Sequence, residues 1–178
     1  MQQDIWSHLA ADLGMRQDRL FRLRILWLLH WHRGNWGALI LIRMAQAAHA
    51  KGNHRAAGRA ARRLRLDFGC FVQPAAVIGP GLRLPHPNGI VIGSGARIGA
   101  RCTLYHQVTL GAARQGEGFS TAYPRLGDDV MVFAGAKLIG AIRIGDRATV
   151  GANAVVLKDI PDGHRAIGVP AHAERLRT

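Results

Sequence analysis

Leu126-Gly-Asp-Asp-Val-Met-Val132-Phe-Ala-Gly-Ala-Lys-Leu138-Ile-Gly-Ala-Ile-Arg-Ile144-Gly-Asp-Arg-Ala-Thr-Val150-Gly-Ala-Asn-Ala-Val-Val156 is the stretch that decides the fold. An aliphatic residue returns every sixth position, at Leu126, Val132, Leu138, Ile144, Val150 and Val156. Working back along the chain, the same period holds at Ile92, Ile98, Leu104 and Leu110, and again at Val72, Ile78 and Leu84. All thirteen anchors are aliphatic. Gly follows the anchor directly at 79, 93, 99, 111, 127, 145 and 151. A small or aliphatic residue sits four places after it, as at Ala76, Ala96, Cys102, Val108, Ala136, Ala148 and Ala154. A period of six fits neither the 3.6 of a helix nor the 2.0 of a simple strand. It fits a short flat strand followed by a corner, coil upon coil. The anchor points inward, Gly turns the corner without a Cβ penalty, and stacked coils bury one continuous core.

Two interruptions break the phase: a two-residue surplus between Leu84 and Val91, and the long loop 112–125. In a compact solenoid such a loop covers a site or a neighbouring subunit.

The chain outside the repeat is different in kind. Residues 1–66 hold 12 Lys+Arg against 3 Asp, a net of +9 out of +13 for the 178 residues. They hold all four Trp and no Pro. Leu, Ala, Arg, Met and Gln dominate, so this segment reads as helical. Breaks at Gly34-Asn35 and Gly52-Asn53 predict helices near 17–33, 36–51 and 54–66. The expected organisation is a helical segment over 1–66 and a solenoid over 67–178. The apolar middle of the first helix, Ile25 to Trp31, packs on the solenoid or on another subunit, or lies at a membrane surface with Trp and Arg at the headgroups. Nucleic-acid binding is not expected, because no helix-turn-helix or zinc-finger frame surrounds the arginines.

Hydrophobic content of 48% excludes a disordered basic tail. Cys70 and Cys102 build no disulfide framework and no metal-ligand spacing. No metal is expected. Met1-Gln-Gln-Asp4 is not a basic start followed by an apolar stretch, and no apolar stretch reaches the ~18 residues of a spanning helix. The expected place is the cytoplasm, with a peripheral contact at the inner membrane face.

The repeat resembles the hexapeptide-repeat acyltransferases. That resemblance implies a left-handed parallel β-helix and a homotrimer. It runs from Phe68 to about Ala173 and is nearest the serine acetyltransferase branch, including the similar exopolysaccharide and colanic acid enzymes. It is carried by Gln73-Pro-Ala-Ala-Val-Ile-Gly-Pro-Gly-Leu82, Leu84-Pro-His-Pro-Asn-Gly-Ile-Val-Ile-Gly93, Val108-Thr-Leu-Gly111, Pro124-Arg-Leu-Gly127, Ala134-Gly-Ala136 and Gly168-Val-Pro-Ala171. The branch has an acidic residue and a His before Gly-Ile-Val; here these fall on Pro85-His86. The resemblance therefore implies His86 as catalytic base. The chemistry agrees: a thioester-to-alcohol acyl transfer needs the hydroxyl proton removed during attack, and imidazole titrates near ~6.5. The tetrahedral oxyanion would be met by a backbone N–H. No Gly-x-Ser-x-Gly elbow offers a covalent route.

His106 lies twenty residues on, one coil of about eighteen plus the surplus, on the same side as His86. It orients the acceptor, serves as the base itself, or stacks between coils. For acetyl-coenzyme A, the resemblance implies a groove between subunits and the positions Gly111, Ala112, Ala134 and Ala152. The Lys often found in the family falls on Thr149. Lys158 and Arg165 offer charge to the phosphates, or are solvated corner charges.

Other departures bear on the acceptor. The Asp that pairs with the catalytic His falls on Phe71, and the Arg-His pair near the acceptor carboxylate falls on Ala122-Tyr123. Free L-serine needs a cation for its carboxylate. Tyr123 instead stacks on or bonds a sugar, or simply packs, and Arg114 or Arg125 replaces the missing Arg. The expected activity is O-acetylation of a glycan hydroxyl in surface polysaccharide synthesis. Serine O-acetylation for cysteine biosynthesis is the alternative, and a non-enzymatic scaffold is the reading of another class.

Overall fold

The computed structural model describes residues 5–21, 23–25, 27, 35–113 and 123–175. Three helices are bounded in it: α1 (Ile5–Leu13), α2 (Asn35–Ala50) and α3 (His54–Phe68). Between α1 and α2, Phe21, Leu23, Arg24, Ile25 and Trp27 are also helical. The helix expected from 17 thus begins only at 21, since residues 15–18 take no regular structure; its stretch beyond 27 lies outside the described residues. Helix α1 was not anticipated from the sequence.

Helix α3 shows clear local causes. The Asn53 side chain accepts from the Ala56 N–H at 3.0 Å and caps the start. Gly69, in the left-handed region at φ 63°, ends it by donating its N–H to the Arg65 carbonyl. Ala57, Ala60 and Leu64 form its buried stripe. Helix α2 packs on both α1 and α3, which is why Ala38 to Ile42 are buried without a break.

Fourteen short strands follow among the described residues: β1 (Phe71–Val72), β2 (Val77–Ile78), β3 (Val91–Ile92), β4 (Arg97–Ile98), β5 (Thr103–Leu104), β6 (Thr109–Gly111), β7 (Arg125–Leu126), β8 (Met131–Val132), β9 (Lys137–Ile139), β10 (Arg143–Ile144), β11 (Thr149–Val150), β12 (Val155–Val156), β13 (His164–Gly168) and β14 (Ala171–Arg175). They form three sheets, ordered β1-β3-β6-β9-β12, β10-β7-β4-β2 and β14-β13-β11-β8-β5. All pairings are parallel except the β13–β14 hairpin. The result is a three-sided parallel β-helix. We call the three faces A, B and C in that order. All thirteen anchors are buried, and the core is the column they build. Burial of each such side chain contributes about 1.5–3 kcal/mol.

The corners explain the glycines. A Cβ on Gly79 would stand 2.7 Å from the Gly99 carbonyl, and one on Gly99 would stand 2.4 Å from the Gly127 carbonyl. Backbone touches backbone along this edge, so no side chain fits. The N-terminal opening of the column is closed by α2. Arg43 donates to the carbonyls of Ile78 (2.7 Å) and Gly79 (2.6 Å), and Gln46 to that of Ala76 (2.8 Å). Asp12 of α1 pairs with Arg43 at 2.7 Å and accepts the Leu82 N–H at 2.8 Å. Both side chains of this ion pair are essentially buried.

Candidate active site

The surplus before Val91 builds the site. Arg83 bridges Thr103, which aligns Leu84 with Leu104. Gln107 donates its N–H to the Asn88 carbonyl at 2.8 Å, which aligns Asn88 with His106. Pro85, His86 and Pro87 therefore stand opposite Tyr105 alone, and of the three His86 projects from the corner between faces C and A while Pro87 is buried. The Asn88 N–H folds back onto the His86 carbonyl at 2.8 Å. Prolines on both sides fix the backbone torsions of the bulge. His86 is exposed as a consequence.

The bulge places the His86 ring 6.1 Å from that of His106, edge to face, and 6.3 Å from Tyr105. Tyr105 stacks on Phe133 at 5.1 Å with ring planes 9° apart. This aromatic ladder was missed from the sequence. Its signal was available, since Tyr105 and Phe133 each follow an anchor directly in successive coils. His106 Nδ1 is buried and has no hydrogen-bond partner among the described residues. Burying such a group is unfavourable unless it is met by a ligand, a water or a second chain. Phe71 is 51% exposed on face A, one coil above Val91.

The remaining candidates do not gather around His86 within one chain. Ala134 and Ala152 continue the column of Asn88 and His106, through the Gly135-to-His106 and Asn153-to-Ala134 backbone bonds. Gly111 ends β6, and Ala112 follows it at the other edge of face A. Lys158 is exposed at that same A-to-B corner, between β12 and the Ile160 bridge to Ile144. Arg165 lies on face C, where its guanidinium is 3.0 Å from Glu174; it does not converge with Lys158, and a carboxylate already answers its charge. Tyr123 is half-buried with its ring against Gly93, where a Cβ would collide with Tyr123 Cε1. It thus stands across face A from His86. Arg114 and Ala122 lie outside the described residues. Arg125 is exposed on β7 of face B.

Both thiols are buried. Desolvation, the leading cause, pushes Cys102 up to about 11 and raises Cys70 as well. Neither is a nucleophile. Among the described residues, no group of three His, Cys, Asp or Glu could hold a metal ion, and no helix is long and apolar enough to cross a membrane.

A hexapeptide coil stack with a histidine lifted from one corner defines a class, the hexapeptide-repeat transferases. The family described as "Bacterial transferase hexapeptide (six repeats)" matches residues 123–158. The serine acetyltransferase of Helicobacter pylori (strain J99) is 42% identical over 134 residues, 75% of this chain and 77% of that protein. That of Mycobacterium tuberculosis is 40% identical over 128 residues, 72% of this chain and 55% of that protein. The crystal structure of Neisseria gonorrhoeae serine acetyltransferase superposes with a TM-score of 0.81 at 31% identity, covering 99% of this chain and 69% of the other. Soybean serine acetyltransferase complexed with serine gives 0.80 at 32%, covering 96% and 69%. The chain belongs to the serine acetyltransferase family. The fold is accordingly the left-handed parallel β-helix, and the protein is an acyltransferase that transfers acetyl groups. This sets aside the scaffold reading. It also corrects the finer placement, because these relatives are named serine acetyltransferase and not exopolysaccharide or colanic acid enzymes.

Proposed function

We propose that the protein is an acetyl-coenzyme A-dependent O-acetyltransferase in which His86 is the general base. The observation that carries this is the two-residue bulge, which presents one exposed imidazole beside a second. The acceptor hydroxyl gives its proton to His86 as its oxygen attacks the thioester carbonyl. A backbone N–H of the Gly-rich corners stabilises the oxyanion. Collapse expels the coenzyme A thiolate, which takes the proton back from the imidazolium. A related serine acetyltransferase has been solved in complex with coenzyme A, superposing at a TM-score of 0.77 and 27% identity.

A homotrimer completes the groove in this reading. The two sets of cofactor residues lie on opposite edges of face A, so Ala134 and Ala152 of one copy would face Gly111, Ala112 and Lys158 of the next.

L-serine is the acceptor supported by the names of the relatives, which makes serine O-acetylation for cysteine biosynthesis the first reading. A sugar hydroxyl is the second, favoured by Phe71 on face A and by the Tyr105–Phe133 stack beside His86. Aromatic faces suit the apolar side of a pyranose better than they suit a zwitterion.

The test is coenzyme A release with L-serine and with a panel of sugars. Acceleration by serine alone supports the first reading; acceleration by sugars alone supports the second. His86→Ala should lower kcat about 10²–10⁴-fold while coenzyme A binding and the melting temperature hold. Unchanged turnover in this variant removes His86 as base.

A further inference from the structure

Helix α3 carries charge that the fold does not use. Arg55, Arg59 and Arg62 recur at helical spacing, and Arg65 follows one turn later, away from the buried Ala57, Ala60 and Leu64. The one acidic residue of α3, Asp67, is taken by Arg63 at 3.1 Å. Among the described residues, neither Arg62 nor Arg65 has a carboxylate partner.

The C-terminal end of this stripe lines a cavity of about 260 Å³ with Ala61, Phe71, Gln73 and Pro74. The Arg65 guanidinium stands 5.6 Å over the Phe71 ring, a contact that fixes its orientation. Phe71 is tied to the catalytic corner. Its N–H bonds the Ile90 carbonyl at 2.8 Å, and a Cβ on Gly69 would lie 3.7 Å from the Gly89 nitrogen. Residues 89 and 90 end the same segment that carries His86. The Phe71 end of the cavity therefore lies one coil above Ile90 and Val91, which follow the bulge, and its Gln73 end lies over Gly93. Two guanidiniums without a carboxylate partner among the described residues, one of them over the Phe71 ring, attract an anion and offer it forked, charge-assisted bonds.

We propose that this α3–β1 cavity is an anion subsite for the acceptor: Arg62 and Arg65 hold its carboxylate or phosphate while its hydroxyl reaches His86. This rests on the O-acetyltransferase reading. It makes the acceptor an anionic hydroxyl compound, whether an amino acid, a uronic acid or a sugar phosphate.

The experiment uses the full-length chain, the variant Arg62→Gln/Arg65→Gln, and the control Arg63→Gln. All three side chains are exposed, so unchanged melting temperatures are expected. Coenzyme A release is measured with L-serine against ethanolamine, and with D-glucuronate and D-glucose 1-phosphate against D-glucose. In the unmodified protein, the anionic member of at least one set has the lower KM. The double variant raises that KM about tenfold, near 1.4 kcal/mol, and leaves the KM of acetyl-coenzyme A and of the neutral acceptor unchanged. Arg63→Gln changes neither. Which set responds tells the carboxylate source from the phosphate source. A preference that survives in the double variant, or is absent from the unmodified protein, overturns the subsite. Equilibrium dialysis of L-serine, D-glucuronate and inorganic phosphate, with coenzyme A saturating, separates this from the enzymatic reading. Binding that is lost in the double variant supports the subsite even if no acceptor is turned over. Lack of binding to the unmodified protein refutes the subsite even if transfer proceeds.

Discussion

Replacing Arg43 with Met tests what fastens the helices to the β-helix. The guanidinium makes five hydrogen bonds: two to Asp12 (2.7 and 3.1 Å), one to Gln46 Oε1 (3.0 Å), and one each to the carbonyls of Ile78 (2.7 Å) and Gly79 (2.6 Å). Met keeps most of the stem volume but removes every donor. The Asp12 carboxylate, whose side chain is 0% exposed, is then left with the Leu82 N–H. Breaking a buried pair from one side costs about 3–5 kcal/mol. The abandoned carbonyls add to this, offset in part by water entering. We expect about 4 kcal/mol, a large share of the ~5–15 kcal/mol that holds a typical domain. Asp12→Leu should cost about 3 kcal/mol for the mirror reason. Combining the two should cost about 2 kcal/mol less than the sum, because neither charge is then stranded. The assay is urea unfolding followed by circular dichroism at one fixed protomer concentration, since association shifts the midpoint. A loss below ~1 kcal/mol for Arg43→Met, or strict additivity in the double variant, would refute the reasoning.

Two further outcomes are expected. Gly99→Ala drives a Cβ into the Gly127 carbonyl and the Asp128 carboxylate that accepts the Ala100 N–H, and should destabilise by about 1–3 kcal/mol; a thermal melt within a degree of the parent would show that the corner can relax. Cys102, pushed up to about 11 by burial from an ordinary value of 9.0, should resist a thiol reagent at pH 8 until the chain unfolds. The folded state holds that proton more tightly than the unfolded chain does. Its stabilising effect is therefore complete below the unfolded value and fades as pH rises from about 9 toward 11. Rapid native labelling of both thiols would contradict this.

The parts written in local chemistry were the ones legible in the sequence. Anchors at a fixed period have one solution, and every one of them is buried. The surplus near residue 86 was visible as a phase error, but not its form. Only the backbone bonds show that Asn88, rather than His86, shares a register with His106. What stayed hidden depends on distance. Arg43 follows directly on the apolar run Ala38 to Ile42, and nothing local marks Asp12, 31 residues earlier, as its partner. Tyr123 shows another limit of the same kind: its residue type suits a sugar, but only the fold shows that its ring lies against Gly93, across face A from the histidines of the same chain. The Arg62–Arg65 cavity was likewise unreadable, since it forms only where α3 passes over the first coil.

The two ends of the β-helix differ in kind, and this governs how copies can meet. A parallel stack exposes unpaired N–H and C=O groups at each terminal coil, an open template for strand-on-strand growth into fibres. Here one end carries the Arg43 and Gln46 side chains on its carbonyls. The other turns back on itself as the antiparallel β13–β14 hairpin, which also lies against β12. With both termini blocked, end-to-end polymerisation is disfavoured, and self-association is directed to the flanks, where face A joins the edge bearing the histidines to the edge bearing Gly111.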